Sequence, residues 1–94
     1  MERWSPASRF QVSSGTLMKS FDDKVALAHM QTKRFHLLNP TAALIWKSIC
    51  AGNSRGELEE QMRQEFDVDP GELSESIDKL LTMLKTEKFI EIQP

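Results

Sequence analysis

The sequence predicts an α+β domain of winged helix-turn-helix type, in which a three-stranded antiparallel sheet is followed by three helices. Two observations predict this fold. Residues 16–38 hold three segments of strand length separated by short polar turns, and short connections favour an antiparallel meander. Residues 39–88 hold three apolar patterns of helical spacing, each opened by a helix-capping residue. Strands gathered before helices are typical of an α+β fold.

The strands lie in the first part of the chain. Residues 1–14 have no clear period and are predicted to form an arm with a short strand near residues 10–12, while residues 15–94 form the domain. Three strands are predicted at residues 16–21, 24–30 and 34–38. An acidic turn separates the first two, and a polar turn separates the last two, so the third strand lies at an edge of the sheet.

The helices have clearer boundary signals. The first begins at Asn39-Pro40, since Asn suits an N-cap and Pro suits the first helical position, and it ends near Gly52. Ser54 starts a capping-box pattern for the second helix, and Asp69 caps a third helix that runs to about residue 88. The predicted buried faces are Ala42, Ile45, Trp46 and Ile49 in the first helix, Leu58, Met62 and Phe66 in the second, and Leu73, Ile77, Leu80, Leu81 and Leu84 in the third.

Length and composition favour a small binding module over an enzyme. The chain has 94 residues, of which 39% are hydrophobic and 28% charged, as is typical of one globular domain with a modest core. Its longest apolar run, residues 42–46, is far shorter than the roughly 20 residues that span a bilayer, and no signal-peptide pattern opens the chain. One cysteine excludes an internal disulfide framework. We therefore expect a cytoplasmic, non-catalytic protein without a cofactor or a membrane partner.

Charge is divided unevenly along the chain. Residues 1–38 carry six basic and three acidic side chains, and residues 39–94 carry six basic and eleven acidic ones, so the balances of +3 and −5 give the net charge of −2. A winged-helix DNA-binding regulator, which is the alternative function for this topology, needs basic side chains on its recognition helix. The second helix instead carries one basic residue, Arg63, among Glu57, Glu59, Glu60 and Glu65. We therefore expect no nucleic-acid partner.

Two histidines and one cysteine are the remaining reactive side chains. If the second turn is symmetric about Thr32 and Lys33, residues whose numbers sum to 65 face each other, which pairs His29 with His36. Zinc normally takes three or four protein ligands, and no third ligand is apparent, so no metal site is predicted. Cys50 is predicted to be a small buried hydrophobic residue in the last turn of the first helix.

The junction between strands and helices resembles a known family. Residues 35–46, FHLLNPTAALIW, resemble the Leu-Asn-x-x-Ala-x-x-Ile-Trp pattern of PqqD-like proteins, the leader-peptide recognition elements of ribosomally synthesised and post-translationally modified peptide pathways. The FDVDP segment of residues 66–70 and the Leu-rich third helix that ends in Phe89-Ile90 also match. The resemblance covers residues 16–92. It departs from the family at residues 52–56, where the entry to the second helix is often more hydrophobic.

The resemblance implies a stand-alone protein that binds the leader of a precursor peptide and presents it to a modifying enzyme. That partner would be a leader peptidase, as in lasso-peptide pathways, or a radical S-adenosylmethionine (SAM) enzyme, as in pyrroloquinoline quinone biosynthesis. In similar proteins the leader adds as a strand to the third strand, in a groove against the third helix. The implied leader-binding residues are Lys33, Arg34, Phe35, His36, Leu37 and Leu38 on the strand, and Ile77, Leu80, Leu81 and Leu84 on the helix. The two basic residues among them suit an acidic leader, and we expect a monomer or a weak dimer.

Overall fold

The computed structural model describes residues 4–93 and has the predicted order of strands before helices. Its elements are β1 (Phe10–Val12), β2 (Thr16–Phe21), β3 (Lys24–His29), β4 (Phe35–Leu38), α1 (Pro40–Cys50), α2 (Arg55–Glu65), α3 (Pro70–Thr86) and β5 (Ile90–Ile92). The antiparallel sheet has the order β2-β3-β4. The predicted α+β fold is therefore confirmed. Over residues 4–93, no helix is both long enough and apolar enough to cross a membrane.

Residues 4–14, predicted to be an arm, pack onto the rest of the domain; residues 1–3 of that arm and residue 94 lie outside the described range. The short strand predicted at residues 10–12 is present as β1 and pairs antiparallel with β5. Phe10 is buried in the core, and Trp4 meets its ring edge-on with the ring centroids 5.3 Å apart. The N–H of Arg55 donates to the carbonyl of Ser8 at 2.8 Å. These contacts fix the described part of the arm against α2 and the core.

Each helix begins at the capping residue that the sequence predicts. The side chains of Asn39, Ser54 and Asp69 accept hydrogen bonds from the backbone N–H three residues later, at 2.9, 3.3 and 3.0 Å. Gly52 follows α1 with a φ of +88°, a left-handed conformation that glycine adopts without strain. These local signals set the start of α1 immediately after β4, and they also fix where α3 begins.

The capping box of α2 predicts a pH-dependent contribution to stability. Hydrogen bonds from the backbone and then the side chain of Ser54 lower the pKa of Glu57 below its ordinary value of 4.5. The contribution is therefore complete above pH 4.5 and is lost as the pH falls through the lower, folded-state pKa. We expect Glu57→Gln to lower the melting temperature at neutral pH and to match the wild type below the folded-state pKa. Glu60→Gln, an exposed change in the same helix, is the control; an equal loss at every pH would contradict this account.

The core lies between one face of the β2–β3–β4 sheet and the three helices. Its largest fully buried side chains are Trp46, Phe89, Leu27, Leu58, Met62, Ile77, Leu81, Leu84, Ile90 and Val25. Most of the predicted buried faces are confirmed, but α1 buries Ala43 more completely than Ala42. The prediction that Cys50 is buried is wrong: it is the last residue of α1, and its side chain lies at the exposed end of the helix.

A buried arginine fixes α2 against α3. The Arg55 side chain is only 6% exposed, and its guanidinium pairs with Asp78 at 2.9 Å and with Glu59 at 2.7 Å. It also donates to the hydroxyl and the carbonyl of Ser74. A buried charge is stable only where it is paired and hydrogen-bonded, so this network sets how α3 lies in the domain. Sequence reasoning missed it, because one arginine after a turn is usually exposed.

The hairpin between β3 and β4 has a different register from the predicted one. Partners sum to 63 rather than 65, so His36 faces Leu27 and not His29. The reason is a longer turn, which the Lys33 N–H closes by donating to the His29 carbonyl at 2.9 Å, with Lys33 at a φ of +62°. Lys33 therefore lies in the turn, before β4 begins at Phe35. No group of three or more His, Cys, Asp or Glu residues within residues 4–93 could hold a metal ion.

Candidate functional site

The strand β4 is an edge of the sheet with backbone groups that point away from it. Among the described residues β4 pairs with β3 alone. The His29 N–H donates to the Arg34 carbonyl at 3.0 Å, and hydrogen-bonded pairs alternate along an antiparallel ladder. The backbone groups of His36 therefore also point toward β3, whereas those of Phe35 and Leu37 point outward. An extended segment placed beside β4 can bond to these two residues.

The side chains of β4 divide between the two faces of the sheet. His36 is half-buried and Leu38 is buried, and both face the helices. Phe35 and Leu37 face the opposite side, where they are 66% and 53% exposed. Of the residues expected to bind a leader, Phe35 and Leu37 therefore have backbone N–H and C=O groups that are available for hydrogen bonds, whereas Leu38 belongs to the core.

The end of α3 lies beside the β4 segment, and we call the surface between the β4 edge and this flank of α3 the candidate groove. Its position is given by Glu87, directly after α3, which contacts side chains of the β4 segment. Met83 and Leu80 precede Glu87 by four and seven residues, so they share its side of the helix. Both are partly buried and pack against the core, which leaves part of each side chain at the surface. The groove therefore has a hydrogen-bonding edge on one side and an apolar flank on the other.

Three of the helix residues expected to line the groove lie in the core instead. Ile77, Leu81 and Leu84 are 0% exposed, so they support the helix from beneath and have no surface to offer a ligand in this structure. Of the four predicted helix residues, Leu80 is the one that is only partly buried. Met83 and Glu87, which the sequence prediction did not include, share this side of the helix with Leu80 by their spacing.

Arg34, His36 and Glu87 join β4 to the end of α3, and we call these three residues the clasp. The Glu87 carboxylate lies 3.2 Å from Arg34 Nε and 3.5 Å from His36 Nε2. The His36 ring also meets Phe89 edge-on, with the centroids 5.7 Å apart. Because Arg34 is 64% exposed, this ion pair is worth at most about 1 kcal/mol. It holds one end of the groove together and is weak enough to be exchanged for another carboxylate.

Positive charge gathers at the same end of the groove. Lys33 is exposed in the turn, and Arg34 follows it. Glu87 is the carboxylate that balances Arg34 in this structure. That Lys33 and Arg34 lie at the mouth of a leader-binding groove stays a prediction, and the structure adds that Arg34 has an internal partner, Glu87, that the sequence did not reveal.

Comparisons with known proteins match this chain in sequence and in fold. The family model described as "Coenzyme PQQ synthesis protein D (PqqD)" matches residues 24–90. The structure of "TbiB1 in complex with the TbiA(beta) leader peptide" has a TM-score of 0.82 and 23% identity, covering 86% of this chain and 94% of that chain. A "lasso peptide synthetase B1 complexed with the leader peptide" has a TM-score of 0.79 and 23% identity, covering 92% and 99%. No curated protein sequence matches.

Proposed function

The chain belongs to the PqqD family, and from this premise we propose that it binds the leader of a ribosomally synthesised precursor peptide and presents it to a modifying enzyme. The observation that carries the proposal is the open edge of β4, whose outward groups at Phe35 and Leu37 lie beside the flank of α3. The two structural relatives are complexes with leader peptides, which supports a leader peptide as the ligand of this chain.

The leader would lie extended between β4 and α3. Main-chain hydrogen bonds to Phe35 and Leu37 supply affinity that depends little on sequence, at about 0.5–1.5 kcal/mol each. Alternate leader side chains enter the groove and meet Leu80 and Met83, where a fully buried aliphatic side chain gains about 1.5–3 kcal/mol. Specificity then comes from these inward side chains, as in other cases of strand addition.

The partner enzyme carries out the chemistry, and this chain supplies proximity. A leader held at β4 keeps the attached core peptide at a high effective concentration near the enzyme. One structural relative is a lasso peptide synthetase B1, which favours a leader peptidase of a lasso-type pathway as the partner; a radical SAM enzyme is the other candidate. The proposed role needs no catalytic residue, cofactor or metal in this chain.

The DNA-binding alternative has weaker support. α2, the expected recognition helix, exposes mainly carboxylates, and its single basic side chain outside the buried network, Arg63, pairs with Glu59 at 3.0 Å. Duplex phosphate would meet a negative surface there. A leader peptide is therefore the better-supported ligand.

The deciding experiment is titration of the ¹⁵N-labelled chain with synthetic leader peptides. We expect shifts of the backbone amides over residues 34–38 and around Leu80 and Met83. Trp46 is a poorer reporter, because its ring is 1% exposed and lies in the core. If no candidate leader shifts these amides at about 100 µM, a concentration that detects even weak complexes, strand addition at β4 is refuted.

The clasp predicts how Glu87 tunes leader preference. In Glu87→Gln the Arg34 guanidinium loses its carboxylate partner and becomes available to an acidic leader. We expect such a leader to bind about threefold to fivefold more tightly at low salt, which corresponds to the small energy of an exposed ion pair, and a neutral leader to be unaffected. Isothermal titration with the two peptides measures this. The control is Glu75→Gln, whose carboxylate pairs with Lys79 on α3; weaker binding of both leaders to Glu87→Gln would contradict the exchange.

A further inference from the structure

The face of the β2–β3–β4 sheet that points away from the helices carries an exposed apolar depression. Two cross-strand rows share one pattern, an alanine on β3 between larger side chains on β2 and β4. The rows are Leu17, Ala28 and Phe35, and Lys19, Ala26 and Leu37. We call these six residues the trough. Leu17, Phe35 and Leu37 are 52%, 66% and 53% exposed, so the trough is a mainly apolar surface, with Lys19 on one wall, that the described chain leaves uncovered.

The trough is wide enough to receive the side chains along one face of an α-helix. Its floor consists of Ala26 and Ala28, which have the smallest side chains on this face. Its walls stand on β2 and β4, which are two strand spacings apart, or about 9.5 Å. A helix with its side chains is about 10–12 Å across, wider than the space between the walls, so it would lie over the trough with one row of its side chains between them. An exposed apolar groove of this width is typical of surfaces that bind one face of an amphipathic helix.

The charges beside the trough are positive. Lys19 is part of one wall, and Lys24, paired with Phe21, extends the same face at its end; both lysines are exposed. Asp22 and Asp23 lie beyond that end, in the turn. If two copies packed face to face, the interface would bury lysines from both copies, with no carboxylate in the trough to balance them. A helix whose apolar stripe is flanked by carboxylates is complementary to this surface.

The trough is continuous with the proposed leader edge. Phe35 and Leu37 contribute their side chains to one wall and their outward backbone groups to the edge. A leader strand beside β4 would extend the same face by one strand, and its outward side chains would continue that wall. A protein docked in the trough would therefore lie next to the captured peptide.

We propose that the trough binds an amphipathic helix with acidic flanks, carried by the enzyme that acts on the captured peptide. This inference rests on the proposed function and adds the surface through which the enzyme is recruited. The leader and the helix occupy separate surfaces that share β4, so a substitution on the floor of the trough separates the two binding events.

The first test uses a synthetic helix as the probe. The peptide has about 18 residues, long enough to form helix in water, with Leu and Phe along one face and Glu on both flanks; a matched peptide has Lys in place of each Glu. We expect the Glu peptide to shift amides of β2 and β3 around Ala26 and Ala28, and the Lys peptide to bind at least about fivefold more weakly. Equal affinity of the two peptides, or shifts outside the trough, would overturn the proposal. A concentration-dependent dimer that Ala28→Glu abolishes would also overturn the proposal, because the trough would then bind a second copy of this chain.

The second test is Ala28→Glu in the full chain. A carboxylate on the floor should weaken binding of the Glu peptide at least tenfold and reduce processing of the precursor by its enzyme by about as much, while leader affinity stays within about twofold. Gln64→Glu, which makes the same charge change on an exposed position of α2, is the control. Leu17→Glu, on the exposed wall, adds the same charge and repeats the test if Ala28→Glu does not fold. If these variants bind the leader normally and processing is unimpaired, helix binding at the trough is refuted and the proposed function stands. A wild-type chain that binds no leader refutes the proposed function itself.

Discussion

Leu37→Pro is expected to abolish leader binding while the sheet stays folded. The Leu37 N–H points away from β3, so proline removes a donor that the sheet itself does not use. Proline is tolerated on edge strands when its nitrogen faces solvent, and here its ring also occupies the space where an added strand must lie. We expect leader affinity to fall by more than tenfold, from the lost hydrogen bond and the steric conflict together. Peptide titration measures the affinity, and a thermal melt checks the fold.

Two matched variants separate the edge from the ladder. Leu37→Ala keeps the N–H and shortens a side chain that faces the other side of the sheet, so leader affinity should stay within about threefold of the wild type. His36→Pro removes an N–H that points toward β3, so it should lower the melting temperature strongly. A leader that binds Leu37→Pro as well as the wild type does not use this edge, and the site would have to lie elsewhere.

The strand order and the helix starts could be predicted because they depend on short-range signals. Asn39, Ser54 and Asp69 each satisfy a backbone donor within their own first turn, so neighbouring residues contain the necessary information. The predicted register of β4 was wrong because the register does not depend on such a short-range signal. It depends on a longer turn in which Lys33 takes a left-handed φ, a conformation that a non-glycine residue seldom adopts and that no local pattern indicates.

The groove could be predicted only in part, because it depends on how α3 lies against the sheet. The apolar stripe of α3 identifies the buried face, but it does not say which edge of that stripe turns toward β4. Glu87 settles this through its contacts with Arg34 and His36, which join segments far apart in the chain. Arg55 sets the position of α3 through Asp78, a contact equally invisible to periodicity. Residues that act through the approach of two elements therefore escape sequence reasoning even where each element is predicted correctly.

Leu81→Ala and Leu80→Ala should separate the core of α3 from its groove-facing flank. Leu81 is 0% exposed, so its truncation leaves a cavity and should lower the free energy of unfolding by about 2–5 kcal/mol, a large share of the roughly 5–15 kcal/mol that stabilises a domain. Leu80 is only partly buried, so Leu80→Ala should cost less than about 1.5 kcal/mol of stability and weaken leader binding about tenfold by removing apolar contact in the groove. Urea unfolding measures the first quantity and titration under native conditions the second.

The two leucines are adjacent in sequence, so they differ in burial and not in their place along the helix. Met83→Ala provides a second flank variant and should behave as Leu80→Ala does, since both side chains lie on the side of α3 that carries Glu87. If Leu81→Ala lost affinity while fully folded and Leu80→Ala did not, the leader would have to open the core to bind. Strand addition at a preformed groove requires the reverse order, because Leu80 and Met83, unlike Leu81, expose part of their surface before a peptide binds.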